Sequence, residues 1–132
     1  MPEKDYGHRA LIDKLNVKEG ARVLLLGVTD AALLADIRTR TSDCSTRKRS
    51  KCDVILLGVE STADLLNIEN CLALLATTGG VWVIYPKGQK HITATQVREA
   101  GLATGLVDNK VVSFSATHTG LRFVIRTAAR KT

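Results

Sequence analysis

The sequence predicts an α/β fold in three layers, a mostly parallel sheet with helices on both faces and an antiparallel hairpin at its C-terminal end. Three observations carry this expectation. Arg22–Val28 and Asp53–Gly58 are nearly continuous aliphatic runs, the pattern of strands buried on both faces of a parallel sheet. Helix-compatible segments alternate with these runs. The C-terminal region then changes to two strand-like segments, Lys110–Ser115 and Leu121–Arg126, joined by the short polar connection Ala116–Gly120.

Each element has a local reason. Leu11, Ile12 and Leu15 place one apolar face on a helix over 8–16, and Gly20 turns the chain into the strand Arg22–Val28. Thr29 or Asp30 caps a short helix through about Ala35. Ile37–Thr41 is β-branched and alternating, which suits a short edge strand, and Ser42–Cys52 is a polar, basic loop. If strand 37–41 lies on one side of strand 22–28 and strand 53–58 on the other, that loop crosses the sheet. Fully extended it reaches roughly 36 Å, while a strand spans about 20 Å, so no helix is needed.

Beyond strand 53–58, Ser61 and Asp64 form an N-cap with an acidic third position. Leu65, Ile68, Leu72 and Leu75 recur at helical steps, and Gly79-Gly80 stops that helix. Val81–Tyr85 is a third strand, halted by Pro86, with Trp82 in the core. Thr93 and Gln96 fit a capping box for a helix through about Gly101. Asp108-Asn109-Lys110 reads as a turn. In the last strand Leu121, Phe123 and Ile125 face one way, and Arg122, Val124 and Arg126 the other.

A chain of 132 residues, 45% hydrophobic and 4% aromatic, suits one domain over 1–132 with an aliphatic core. No run approaches the ~18 apolar residues of a membrane span, and no cleavable signal precedes the fold. Cys44, Cys52 and Cys71 follow no ligand spacing and read as reduced thiols, which with the missing signal predicts a cytoplasmic protein.

The net charge is +6 and unevenly placed. Residues 37–52 hold Arg38, Arg40, Arg47, Lys48, Arg49 and Lys51 against Asp43 alone, whereas residues 53–79 hold four acids and no Lys or Arg. Arg122, Arg126, Arg130 and Lys131 add charge near the end. Arg47, Lys48, Arg49 and Lys51 are the candidate contacts to nucleic-acid phosphates. No aromatics interleave with them, so base stacking is not supported and a solvated loop is the favoured reading.

Open α/β sheets bind ligands beyond the carboxyl ends of their strands. Here those ends bring Gly27–Asp30, Gly58–Glu60 and Tyr85–His91 together. The candidate ligand-binding residues are Gly27, Thr29, Asp30, Glu60, Tyr85, Lys87 and His91. Gly27 lets a ligand approach the backbone, Gly58 reads as a strand end, and Asp30 serves first as a helix cap. Tyr85, Lys87, Lys90 and His91 offer an aromatic, two ammonium groups and an imidazole to one rim, which suits a small anionic ligand. His8, His91 and His118 have no metal-ligand spacing, and no nucleophile elbow, phosphate loop or H-E-x-x-H occurs. Neither a metal nor a catalytic residue is expected.

Val17-Lys-Glu-Gly20-Ala-Arg-Val-Leu-Leu-Leu-Gly27, Cys52-Asp-Val-Ile-Leu-Leu57 and Thr78-Gly79-Gly80-Val-Trp-Val-Ile-Tyr85 resemble the first, fourth and fifth strands of class I S-adenosylmethionine-dependent methyltransferases, a Rossmann-type fold. More closely, Val23–Gly27, Trp82–Lys87, Gly105–Lys110 and Gly120–Ile125 are similar to a small bacterial family of shortened methyltransferase-like domains with no assigned activity. The resemblance implies a cofactor site after the first strand. Against it, Leu25 stands where that strand carries an acid, and Val28-Thr29-Asp30 replaces the glycine-rich loop. Residues 37–41 end in Thr-Arg-Thr where a ribose-gripping acid belongs, with Asp43 the nearest substitute. The third strand and its helix are deleted.

The expectation is therefore a degenerate methyltransferase-like domain acting as a non-enzymatic binding module for a small anionic or nucleotide-like ligand or a protein partner, with no cofactor required. Two alternatives stand beside it. One is a divergent S-adenosylmethionine-dependent methyltransferase holding its cofactor around Gly27 and Tyr85. The other is nucleic-acid association through 38–51. The chain is a monomer or a homodimer, depending on whether the 37–41 edge pairs or is kept single by Arg38 and Arg40.

Overall fold

Alternation along the central strands sends side chains into two separate apolar layers. In β1 (Val23–Leu26) Leu24 faces one layer while Val23 and Leu25 face the other. In β3 (Cys52–Gly58) Ile55 and Leu57 oppose Val54 and Leu56. In β4 (Leu75–Pro86) Val81, Val83 and Tyr85 oppose Trp82 and Ile84. This is the two-sided burial that continuous aliphatic runs require. The computed structural model describes residues 11–126. The start of the first helix, His8, Arg130 and Lys131 lie outside the described residues.

The sheet has six strands in the order β2-β1-β3-β4-β6-β5, with β2 at Cys44–Ser45, β5 at Leu106–Ser113 and β6 at His118–Ile125. The β1–β2, β1–β3 and β3–β4 pairs are parallel, and β4–β6 and β5–β6 antiparallel. The mostly parallel sheet with an antiparallel C-terminal pair is the architecture expected. On one face α1, described over residues 11–14, and α2 (Ala31–Arg38) cover Trp82, whose indole N–H donates to the Leu15 carbonyl at 2.9 Å. The other face is covered by a 3₁₀ turn at Thr62–Leu66, α3 (Asn67–Leu72) and α4 (Ala94–Ala103). The capping box forms as expected: Thr93 accepts from the Gln96 N–H, and the Gln96 side chain accepts from the Thr93 N–H.

Several local expectations are corrected. Residues 37–41 are not a strand: α2 continues to Arg38, because Leu33 and Ile37 lie one turn apart and both enter the core. Burial overrides the β-branching there, and the edge strand is Cys44–Ser45, inside the segment read as a loop. Secondly, the helix expected through Leu75 ends at Leu72, and Leu75 opens β4. Gly79-Gly80 lie within that strand, where a Cβ on Gly79 would come within 2.6 Å of the Cys52 carbonyl oxygen. Ser61 makes no side-chain cap; Asp64 instead accepts from the Glu60 N–H at 2.9 Å. Thirdly, Asp108–Lys110 is no turn but part of β5 at a register shift, with Asp108 ion-paired to Arg98 at 3.0 Å. Lastly, the hairpin strands are longer than expected and their connection is residues 114–117.

The chain crosses from β2 to β3, on the far side of β1, through residues 46–51. Arg49 holds this crossing in place. Its guanidinium donates to the Val23 carbonyl at 2.9 Å, to the Asp43 carbonyl at 2.7 Å and to the Asp43 carboxylate. Arg22 donates to the same carboxylate at 3.2 Å and to the Ser50 carbonyl at 3.0 Å.

Candidate functional site

Two glycines set the geometry where β1 and β3 end side by side. Gly27 has φ +75°, and a Cβ on it would stand 3.0 Å from the Gly58 carbonyl oxygen. A Cβ on Gly58 would stand 2.5 Å from the Gly27 carbonyl oxygen. Each glycine is therefore required by the other's backbone; Gly58 ends β3, as its sequence position suggests, and both glycines also line the hollow described next. Beyond Gly27 the chain runs through Val28 and Thr29 to Asp30, whose carboxylate accepts from the N–H groups of Ala32 at 2.9 Å and Leu33 at 3.1 Å. This satisfies orphan donors at the start of α2 and places a negative charge at the positive end of its dipole.

Glu60, just past β3, joins three chain segments. Its carboxylate meets His118 Nε2 at 2.9 Å, and its main-chain oxygen meets His91 Nε2 at 2.9 Å. His118 opens β6, and its Nδ1 lies 2.8 Å from Thr117 Oγ1. Around these groups is a hollow of about 240 Å³. Val28, Ile84 and Phe114 supply its apolar wall, and Thr29, Asp30, Glu60 and His118 its polar groups. Asp30 and Phe114 also border a second hollow of about 340 Å³ that reaches Leu11, Lys14 and Ser113. The two together make a cleft along the carboxyl ends of the strands.

The structure thus brings Gly27, Thr29, Asp30 and Glu60 to one place and leaves Tyr85, Lys87 and His91 off its walls. Tyr85 follows Ile84 on β4, so its side chain points to the opposite layer, where only 7% of it is exposed and burial raises its phenol pKa. Lys87 Nζ donates to Ser113 Oγ at 2.8 Å, beside the second hollow and not on the wall of the first. His91 stands behind Glu60 as its hydrogen-bond partner. The sequence reading placed Val28 within the Gly27–Asp30 segment but missed Ile84, Phe114 and His118. The signal for His118 is the β4–β6 register, which sets it opposite Pro86.

The basic segment divides. Arg49 is engaged within the fold and is not a free phosphate contact, while Arg47, Lys48 and Lys51 are exposed. Asp43 is no substitute for a ribose-gripping acid. It precedes β2, at the sheet end opposite the hollow, and its carboxylate is held by Arg49 and Arg22. The Arg49 hydrogen bond, with that of Arg22, keeps its pKa below the usual 3.8. Among the described residues no group of three or more His, Cys, Asp or Glu is arranged to hold a metal ion, and no helix is long and apolar enough to cross a membrane.

Neither a protein-family model nor a curated protein matches the sequence. Solved structures do match, among them a S-adenosylmethionine-dependent methyltransferase from Aquifex aeolicus, with a TM-score of 0.68 and 11% identity over 90% of this chain and 89% of that one. A TehB-like S-adenosylmethionine-dependent methyltransferase from Corynebacterium glutamicum aligns with a TM-score of 0.57 and 13% identity over 92% and 88%. A S-adenosylmethionine-dependent O-methyltransferase from Thermotoga maritima aligns with 0.60 and 15% over 94% and 66%. At these identities the likeness is one of fold, and the chain has the methyltransferase-like Rossmann fold.

Proposed function

We propose that this chain is a non-enzymatic binding module that keeps the methyltransferase-like sheet and uses its carboxyl edge for a small ligand other than S-adenosylmethionine. The observation that carries the reading is the convergence of Thr29, Asp30, Glu60 and His118, from separate segments, on one partly apolar hollow. Three features argue against the fold's usual cofactor. The turn after β1 is closed by the Gly27–Gly58 contact, and the N-terminus of α2 is already taken by the Asp30 carboxylate. The edge strand ends at Ser45, followed by Thr46 and Arg47, with no acid to receive a ribose. The residues present do not fit the group.

The same hollow revises the chemistry of the ligand. Two carboxylates and an imidazole line it, and the cleft's Lys14 belongs to the second hollow. An anion would face Asp30 and Glu60, whereas a small molecule with an apolar body and an amine or other donor head is complementary. Amide chemical shifts read during titration with 2-phenylethylamine, and with phenylacetate as its anionic counterpart, test the reading. The amine perturbs Thr29, Glu60 and His118, and Glu60→Gln removes the effect. Equal responses to both compounds, or none to either, would contradict it.

A further inference from the structure

A second surface lies between the Thr62–Leu72 segment and α4. Here a groove of about 430 Å³ is open, and it shares no lining residue with the hollow around Glu60. Its apolar wall comes from Leu65, Leu66 and Leu72 on one side and Ala100 and Ala103 on the other. Leu66 is 77% exposed, the most exposed of the large hydrophobic residues described. The helical spacing of Leu65, Ile68 and Leu72 accounts for the core face of this segment and leaves Leu66 outside it. On the opposite bank two alanines leave room for a partner's side chains between the helices.

Charge says what kind of partner fits. Glu69 is the one charged residue that lines the groove. No Lys or Arg lines it, in a chain whose net charge is +6. Glu99, one turn before Ala103 on α4, is exposed as well. The groove is an acidic exception on a basic protein.

We propose that the groove receives an amphipathic helix of a partner protein, its leucine-type side chains seated between Leu66 and Ala103 and its flanks carrying Lys or Arg against Glu69. Helices bind apolar grooves in this way through anchors three and four residues apart. A second copy of this chain is the poorer occupant, since a two-fold contact through one patch brings no basic group of the groove to meet Glu69.

Two synthetic helical peptides with the same leucine face, one flanked by lysines and one by glutamates, test the proposal by fluorescence anisotropy. The lysine peptide binds saturably. Leu66→Ser weakens it several-fold and Ala103→Arg at least tenfold, while the glutamate peptide does not bind. Both substituted side chains are exposed, and far-ultraviolet circular dichroism verifies that the variants stay folded. Three results would overturn the proposal: no saturable binding of the lysine peptide, binding indifferent to both substitutions, or a dimer in sedimentation equilibrium that Leu66→Ser dissolves.

Discussion

Gly58 is the residue at which the site and the fold are hardest to separate. A methyl group there lands 2.5 Å from the Gly27 carbonyl oxygen, an approach that real Cβ atoms do not make, so β1 and β3 must part. Gly58→Ala should cost roughly 2–3 kcal/mol, the scale of overpacking in a filled core, read as the shift in urea midpoint. Gly88→Ala is the control: φ is +65°, nothing lies within 4 Å, and the penalty is the left-handed backbone alone, about 1 kcal/mol. Equal losses would mean that conformation, not contact, decides. Asp43 gives a residue-scale prediction in pH. Its folded pKa is depressed below 3.8 by Arg49 and Arg22, so its contribution is full above about pH 3.8 and is lost as pH falls through the folded value. Asp43→Asn should therefore melt lower than the parent at pH 7 and converge with it in strong acid. Parallel melting curves over the whole range would contradict that role. The sequence marked Asp43 as the lone acid of a basic segment, but nothing local told that two arginines from different segments hold it.

Among the elements, α4 shows propensity and packing in opposition. Its capping box is local chemistry, and Thr93→Ala should remove about 1 kcal/mol of stability, with Thr93→Ser restoring most of it. Gly101, inside the same helix, would by propensity alone gain up to about 1 kcal/mol on becoming alanine. A Cβ there collides with the ring of Phe123 on β6, so Gly101→Ala should destabilise instead. A gain in thermal stability would show that α4 can move off the sheet at little cost. Elements with a local cause, such as this capping box and the aliphatic β1 and β3, were legible in the sequence. Those decided by distant partners were not. Ile37 reads as a strand residue until the core beneath α2 is known, and Gly79-Gly80 reads as a helix stop until the Cys52 backbone is seen beside it. For the same reason Tyr85 reads as a rim residue. It stands at the end of an apolar run, just before the polar stretch Lys87–His91, while the face it points to is fixed by β4.

At the scale of the whole molecule, a shortened sheet has kept its architecture by replacing a missing strand and helix with a crossing loop tied down by Arg49. The cut leaves β2 with two residues, and the other edge, β5, carries a register shift between Asp108 and Lys110. Short edges and irregular, charged edges both disfavour strand-to-strand pairing. Partner binding, where it occurs, is then a matter for the helical face and the strand-end cleft. The cofactor that the fold usually serves remains the sharpest discriminator. Thermal unfolding with and without S-adenosylmethionine and S-adenosylhomocysteine, each to several millimolar, tests the account most directly. A ligand at about 100 times its dissociation constant adds roughly 2.7 kcal/mol, a shift of several degrees for a chain of this size. An unchanged midpoint with both compounds is expected. A rise of several degrees with either, abolished when Thr29 and Asp30 are substituted, would contradict it and restore a methyltransferase.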